Sequence, residues 1–204
     1  MISRKWLKEN AKNQLKNNWG LAIGAIIVSM LISLIPEILI YINPESAIIA
    51  ILVQIISLII AGPIAIGQCK LFINLSNNEN PKFSDVWFGF GNILKALGVT
   101  LLIGIAVSIG TIFFIIPGII ISFMYSQVYY IMAEHPEMSV IESLKESSKI
   151  MKGHKMELFI LELSFIGWII LTTITFGIAG LYVLPYYRST YGIWIIDILL
   201  KIYH

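Results

Sequence analysis

Three ionisable side chains lie inside otherwise apolar stretches of the sequence: Glu37, Glu162 and Arg188. A charged group in the hydrocarbon of a bilayer costs about 2.5–3.5 kcal/mol on insertion scales, so such residues are candidates for a functional role. Two roles fit their chemistry. One is a structural or interfacial ion pair of Arg188 with Glu162 or Glu37; the other is a path for an ion or a polar substrate. The sequence leaves both open.

Other chemistries find little support. His135, His154 and His204 are expected at the ends of apolar segments, and their spacing is not that of a metal site. Ser164 has no helical neighbour at the spacing of a nucleophile and its base, and fits a small packing residue. The single Cys69 excludes an internal disulfide. We expect no enzyme activity, cofactor, metal ion or nucleic-acid partner.

The composition predicts that membrane helices carry these residues. Hydrophobic residues make up 57% and charged residues 13% of the 204 residues, and the mean hydropathy is +0.84. Soluble domains carry about 25% charged residues. About six spans with short connections use this length, so residues 1–204 are expected to form a single polytopic membrane domain. The basic N-terminus followed by an apolar run lacks a signal-peptide cleavage site, and we expect it to be retained.

The longest uncharged stretch runs from Ala96 to Ala133. As one helix it would be roughly 57 Å long, nearly twice the hydrocarbon thickness of about 30 Å, so the chain must fold back. Pro117 and Gly118 are the strong helix breakers near its middle. The sequence therefore predicts a transmembrane hairpin that turns at these two residues.

The same reasoning extended to the whole chain predicts an all-α bundle of about six spans. They cover approximately residues 19–42, 47–69, 97–116, 119–133, 156–176 and 181–200. Pro63 interrupts the second span, where a kink and a turn between two short helices both remain open, with the kink favoured. Pro185 falls in the first turns of the last span, where a missing N–H group is tolerated.

Amphipathic segments are predicted at residues 1–18, 83–95 and 139–152. The first combines an apolar stripe with lysines, which is typical of a helix lying on an anionic leaflet. The third begins with Ser139 and Glu142 at capping-box spacing, and its apolar face is expected to include Ile141 and Leu144. Each segment precedes a span, a proline break and a returning span. This order indicates a weak internal repeat or a chance similarity.

The distribution of basic residues predicts the orientation, because cytoplasmic flanks retain Lys and Arg. Every Lys and Arg except Arg188 falls on one side of the six-span arrangement. Both termini are therefore predicted to be cytoplasmic. The outer connections, near residues 43–45, 117–118 and 177–180, are too short to form an outer ligand-binding domain.

Several motifs resemble a known family along nearly the whole chain. They are Gly62-Pro63-x-x-x-Gly67, Ile116-Pro117-Gly118-Ile119, Met151-Lys152-Gly153-His154-Lys155, Leu163-Ser164-Phe165-Ile166-Gly167-Trp168 and Pro185-Tyr186. They look like the bacterial integral membrane family catalogued as domain of unknown function 975. That family is distantly similar to the non-catalytic membrane domain of some glycerophosphodiester phosphodiesterases. The resemblance implies a multi-pass protein of the bacterial cell membrane, with no assigned activity and no catalytic residues.

Two functional hypotheses follow. The first is a non-enzymatic membrane module that binds membrane lipids, a protein partner or a second copy of itself, in settings such as stress or antimicrobial-peptide resistance. The alternative is a small transporter or channel, with Glu162, Arg188 and the glycines of the third span along its path.

Overall fold

The structure is a computed structural model that describes residues 3–203, with side chains described for residues 3–200. The regular elements in this range are all helical. The α-helices are α1 (Arg4–Leu15), α2 (Trp19–Ile42), α3 (Ala47–Asn77), α4 (Ile93–Phe113), α5 (Ile115–Met124), α6 (Val128–Glu134), α7 (Val140–Ile150), α8 (Lys155–Leu163), α9 (Ile166–Ile174) and α10 (Gly180–Tyr203). A 3₁₀ helix, Phe83–Asn92, lies between α3 and α4.

Five stretches of the described residues are long and apolar enough to cross a membrane. They are Trp19–Ile42, Ala47–Asn77, Phe83–Phe113, Ile115–Glu134 and Lys155–Ile174. The all-helical class and the presence of membrane-type helices are thus confirmed. The predicted sixth span falls on α10, which is 24 residues long but is not among the five. Arg188, Asp197 and a series of tyrosines interrupt its apolar residues.

The element order repeats along the chain. A short helix (α1, the 3₁₀ helix or α7) precedes a long apolar helix, and a tight turn then leads to a returning helix. The returning helices are α3, α5 with α6, and α10. The predicted proline breaks do not separate the helices in this order, since Pro63 lies inside α3 and Pro117 inside α5, and the internal repeat stays a prediction.

The turn of the central hairpin is not formed by Pro117 and Gly118, so that prediction is wrong by about three residues. Phe114 alone makes the turn, with extended backbone angles of φ −162° and ψ 147°. Pro117 lies in the first turn of α5, where its missing N–H group is tolerated. Gly118 instead allows α4 and α5 to pack closely, because a Cβ atom there would lie 3.0 Å from Thr111 Cα.

Helix α3 passes through Pro63 as one helix and continues to Asn77. The turn between two short helices is therefore excluded, and the second span is one helix that contains Pro63. The predicted segment 83–95 is a 3₁₀ helix packed against α3, followed by the start of α4. A Cβ atom on Gly67 would collide with the carbonyl oxygen of Val86, so glycine permits this contact.

Two of the predicted continuous helices are broken. The returning half of the central hairpin is interrupted at residues 125–127, between α5 and α6, and the predicted span 156–176 is interrupted at Ser164 and Phe165, between α8 and α9. Neither break contains a proline. The sequence therefore gave no strong local signal for them.

Helix α7 begins with the predicted capping box, but its buried face is not the predicted apolar face. Ser139 and Glu142 form the capping box: Ser139 N–H donates to Glu142 Oε2 over 2.8 Å, and Ser139 Oγ accepts from Glu142 N–H over 3.3 Å. The buried face contains Ser143, Ser147 and Ile150, whereas Ile141 is exposed. Of the two buried serines, Ser147 hydrogen-bonds to the break between α5 and α6, whereas Ser143 donates to Ser139 O of its own helix.

Candidate functional site

Helix α10 packs against helices from every part of the chain. It contacts α1, α2, α3, α7 and α9. Its buried side chains are unusually polar and aromatic for a helix between apolar neighbours; they include Tyr186, Ser189, Thr190, Tyr191 and Trp194. Tyr191 stacks on Tyr130 of α6 with ring centroids 5.3 Å apart. The tertiary structure thus places a polar and aromatic strip at the centre, and the candidate site is built around it.

Arg188 lies on this strip. Its guanidinium is beside Tyr130, Cys69 and Tyr187, and its side chain is partly buried. Tyr130 Oη has no hydrogen-bond partner of good geometry among the described residues. A cation is therefore held among neutral hydroxyl, thiol and aromatic groups.

Glu162 lies on α8 and faces a different neighbour. Its Oε1 atom accepts a long hydrogen bond of 3.4 Å from Tyr187 Oη. The carboxylate also lines an otherwise mostly apolar groove of 520 Å³ beside α5, α8 and α9, together with Ser122 and Ser126. Tyr187 thus interacts with both Glu162 and Arg188.

The two expected ion pairs are not formed within the part of the chain that the structure describes. The ion pairs found there are Lys5–Glu9, His135–Glu137, Lys149–Glu146 and His154–Glu157. Glu37 is exposed near the end of α2, and its Oε1 atom accepts from Ser57 Oγ over 3.5 Å. The structure brings Glu162 and Arg188 to the same tyrosine and leaves Glu37 apart from them.

The break between α5 and α6 is stabilised by side chains from α7 and α10. Ser147 Oγ donates to Met124 O over 2.9 Å and accepts from Gln127 N–H over 3.3 Å. Gln127 Nε2 donates to Tyr191 Oη. A serine on α7 therefore pairs with two backbone groups at the interruption, Met124 O and Gln127 N–H.

Gln127 itself is fully buried. Its Nε2 atom also donates to Ser126 Oγ over 2.9 Å, but Gln127 Oε1 has no partner among the described residues. The interior of the bundle thus contains a hydrogen-bonded network with an unused acceptor.

The break between α8 and α9 is stabilised from the N-terminal helix. Lys8 Nζ donates to the carbonyl oxygen of Ser164 over 2.9 Å and lies 4.3 Å from the centroid of the Phe165 ring. Ser164 Oγ donates back to Leu161 O over 2.6 Å. Ser164, which was expected to be a small packing residue, therefore also accepts a hydrogen bond from α1 through its backbone carbonyl.

Helix α1 is docked against protein along its apolar stripe. Leu7, Ala11 and Leu15 are buried, with at most 2% of their surface accessible. A cleft of 820 Å³ opens beside it, between α1, α8 and α10. Arg4, Lys5, Lys8 and Lys12 line the cleft together with carboxylates and with two aromatic side chains of α10, Tyr186 and Trp194.

Sequence reasoning missed Gln127, Ser147 and the contacts of Lys8. A polar residue in an apolar segment is the available signal for Gln127, whereas the candidate site residues predicted from the sequence are all ionisable ones. Ser147 and Lys8 gave no separate signal, since Ser147 is on neither predicted face of its helix and Lys8 is one of several basic residues in the first amphipathic segment. Within residues 3–203, no group of three His, Cys, Asp or Glu residues is placed to hold a metal ion.

The fold and site define an all-helical protein of membrane-type helices, two of them broken, around a buried polar and aromatic helix. The chain belongs to the family described as "Protein of unknown function (DUF975)", whose profile matches residues 1–121 and 111–199. The family resemblance seen in the sequence motifs is thus confirmed. No curated protein and no solved structure matches the chain.

Proposed function

We propose that this chain is a non-enzymatic module of the bacterial cell membrane that binds membrane lipids through its surface and its N-terminal helix. It has about six spans, with α10 as the last, and both termini are cytoplasmic. The observation that carries the proposal is the apolar surface of its hairpins, where large residues are widely exposed: Ile35 by 62%, Ile112 by 82% and Ile169 by 57%. Soluble proteins rarely expose such continuous apolar surface, whereas lipid covers it.

Contacts between the segments assigned to the cytoplasmic side support this orientation. Gln14 Nε2 donates to Ser76 O over 2.8 Å, which joins α1 to the end of α3. Lys95 Nζ donates to Pro136 O over 2.8 Å, which joins the start of α4 to the loop before α7. Segments far apart in sequence thus meet at one end of the bundle, as the basic-residue pattern requires.

Accessibility of engineered cysteines tests the arrangement. The native Cys69 is buried, so a membrane-impermeant maleimide is expected to leave the wild-type chain unlabelled in intact cells. We expect Glu45→Cys to be labelled in intact cells, and Asn80→Cys and Glu137→Cys to be labelled only after the cells are opened. Labelling of positions 80 and 137 from opposite faces would refute the arrangement.

A small transporter or channel is the second candidate. The two broken helices favour it, because interrupted helices form the substrate sites of many transporters. Residues at both breaks line the groove at Glu162. Ser126 lies in the first break, and Ile166 follows the second. Flux of a cationic or polar solute into proteoliposomes, lost in Glu162→Gln at unchanged thermal stability, would favour this candidate over the first.

A further inference from the structure

The cleft between α1, α8 and α10 has the features of a binding site for one class of lipid, an inference that rests on the proposed membrane location. Arg4, Lys8 and Lys12 are spaced four residues apart and line the cleft from α1. Residues at this spacing share one helix face, and like charges there repel each other. An anion placed between them removes that repulsion.

Two of these cations contact neighbouring groups of the protein. Lys8 is held between Ser164 O, at 2.9 Å, and the Phe165 ring, at 4.3 Å. Lys12 Nζ lies 5.4 Å from the centroid of the Tyr186 ring. Burial, followed by the charges of Arg4 and Lys12, lowers the pKa of Lys8 below its ordinary value. The cleft thus contains preorganised positive charge.

The cleft is also lined by three carboxylates, those of Glu9, Glu157 and Asp197, against the four cations Arg4, Lys5, Lys8 and Lys12. Glu9 lies 3.9 Å from Lys5 Nζ, and Glu157 lies 3.3 Å from His154 Nδ1. Asp197 is the third carboxylate in the lining. The charged groups that shift the pKa of Lys8 are nevertheless both cationic, Arg4 and Lys12.

Apolar and aromatic side chains form the rest of the cleft. Leu7, Ile160, Leu161 and Trp194 line it beside the basic residues. Basic pockets between membrane helices on the cytoplasmic side are suited to lipid headgroups. A soluble phosphate would use the cations alone, whereas a phospholipid uses both kinds of surface. This difference favours the lipid.

We propose that this cleft binds an anionic phospholipid of the cytoplasmic leaflet, with its phosphate among Arg4, Lys8 and Lys12 and its first acyl carbons against Ile160 and Trp194. Because Lys8 also holds the Ser164 carbonyl, the bound headgroup stabilises the contact between α1 and the break of α8 and α9.

Native mass spectrometry of the full chain in a neutral detergent tests the proposal. The probes are dioleoyl-phosphatidylglycerol, dioleoyl-phosphatidylcholine and inorganic phosphate. The cleft variant is Arg4→Gln with Lys12→Gln, two exposed residues; the control variant is Lys16→Gln with Lys152→Gln, which removes the same charge outside the cleft. A charge-preserving variant, Arg4→Lys with Lys12→Arg, separates loss of charge from loss of fold.

We expect the wild type to bind phosphatidylglycerol at least about tenfold more tightly than phosphatidylcholine, and the cleft variant to lose about thirtyfold in affinity. The control and charge-preserving variants should bind within about threefold of the wild type. An equal loss in the control variant would show diffuse surface attraction and overturn the proposal. Displacement of the lipid by equimolar inorganic phosphate would overturn the choice of a lipid. Either result leaves the cysteine-labelling test of membrane topology unaffected.

Discussion

Lys8 Nζ and the carbonyl oxygen of Ser164 are hydrogen-bonded over 2.9 Å although 156 residues separate them in the sequence. This contact joins the N-terminal helix to the interrupted α8–α9 segment. A broken helix at membrane depth is stable only where its freed backbone groups find partners in the protein. The N-terminal helix is therefore part of the helical bundle, since its Lys8 pairs with a backbone carbonyl of the interrupted segment.

Replacement of Lys8 by Met should destabilise the protein by about 1.5 kcal/mol, because it leaves the Ser164 carbonyl without its charged donor. The exposed neighbour Lys5 is the matched control. Its pair with Glu9 is a surface ion pair, and Lys5→Met should cost about 0.3–0.5 kcal/mol. Thermal unfolding in detergent measures both. Equal shifts in the two variants would contradict a specific role for the Lys8 contact.

Replacement of Ser147 by Ala should cost about 2 kcal/mol, because Ser147 Oγ serves both Met124 O and Gln127 N–H at the α5–α6 break. Ser143 is equally buried on the same helix, but its Oγ donates only locally, to Ser139 O. Ser143→Ala should therefore change stability by no more than about 0.5 kcal/mol. If both variants unfold at the same temperature, the break does not depend on Ser147.

Replacement of Gly118 by Ala should destabilise the α4–α5 hairpin by about 1–3 kcal/mol, since the new Cβ atom would crowd Thr111. Gly104 lies on α4, and nothing comes within 4 Å of a Cβ atom there. Gly104→Ala should be neutral or stabilising by up to about 1 kcal/mol. Chemical denaturation in mixed micelles gives both values, and destabilisation by Gly104→Ala alone would refute the assigned contact.

Glu162 and Arg188 should be coupled only weakly in a double-mutant cycle. No ion pair joins them among the described residues, so Glu162→Gln and Arg188→Met should interact only through their shared neighbour Tyr187, by less than Glu162→Gln and Tyr187→Phe do. Glu162→Gln and Tyr187→Phe should instead show an interaction energy of about 0.5 kcal/mol or more, because Tyr187 donates to Glu162. Recovery of stability in the Glu162–Arg188 double variant would restore the ion-pair interpretation.

The capping box of α7 should give an acid-dependent contribution to stability. The Ser139 backbone N–H, followed by the Ser139 side chain, lowers the pKa of Glu142 below its ordinary value of 4.5. A carboxylate with a lowered folded-state pKa stabilises the fold above its unfolded-state pKa, and this contribution is lost as the pH falls through the folded-state pKa. Glu142→Gln should therefore lower the melting temperature at pH 7 and have no effect in stronger acid.

Glu45, an exposed residue in the α2–α3 turn, provides the control for this pH series. The melting temperature of Glu45→Gln should stay close to that of the wild type at every pH. A penalty for Glu142→Gln that persists unchanged in acid would mean that the carboxylate charge is not its cause.

The sequence by itself determined the class of protein and most helix positions. Long uncharged runs such as Ala96 to Ala133 exceed the bilayer thickness and must turn, whatever they pack against. The capping box at Ser139 and the turn near Gly177 are likewise local, because they depend on residues within one helical turn. These features follow from chain length, hydropathy and short-range hydrogen bonds.

Only the tertiary structure decided where the turns, breaks and polar contacts lie. The hairpin turns at Phe114, and Gly118 instead allows close contact with Thr111 of the neighbouring helix. The breaks at residues 125–127 and 164–165 persist because Ser147 and Lys8 supply partners from distant segments. Such partners become neighbours only when the chain has packed, so periodicity and spacing along the sequence do not encode them.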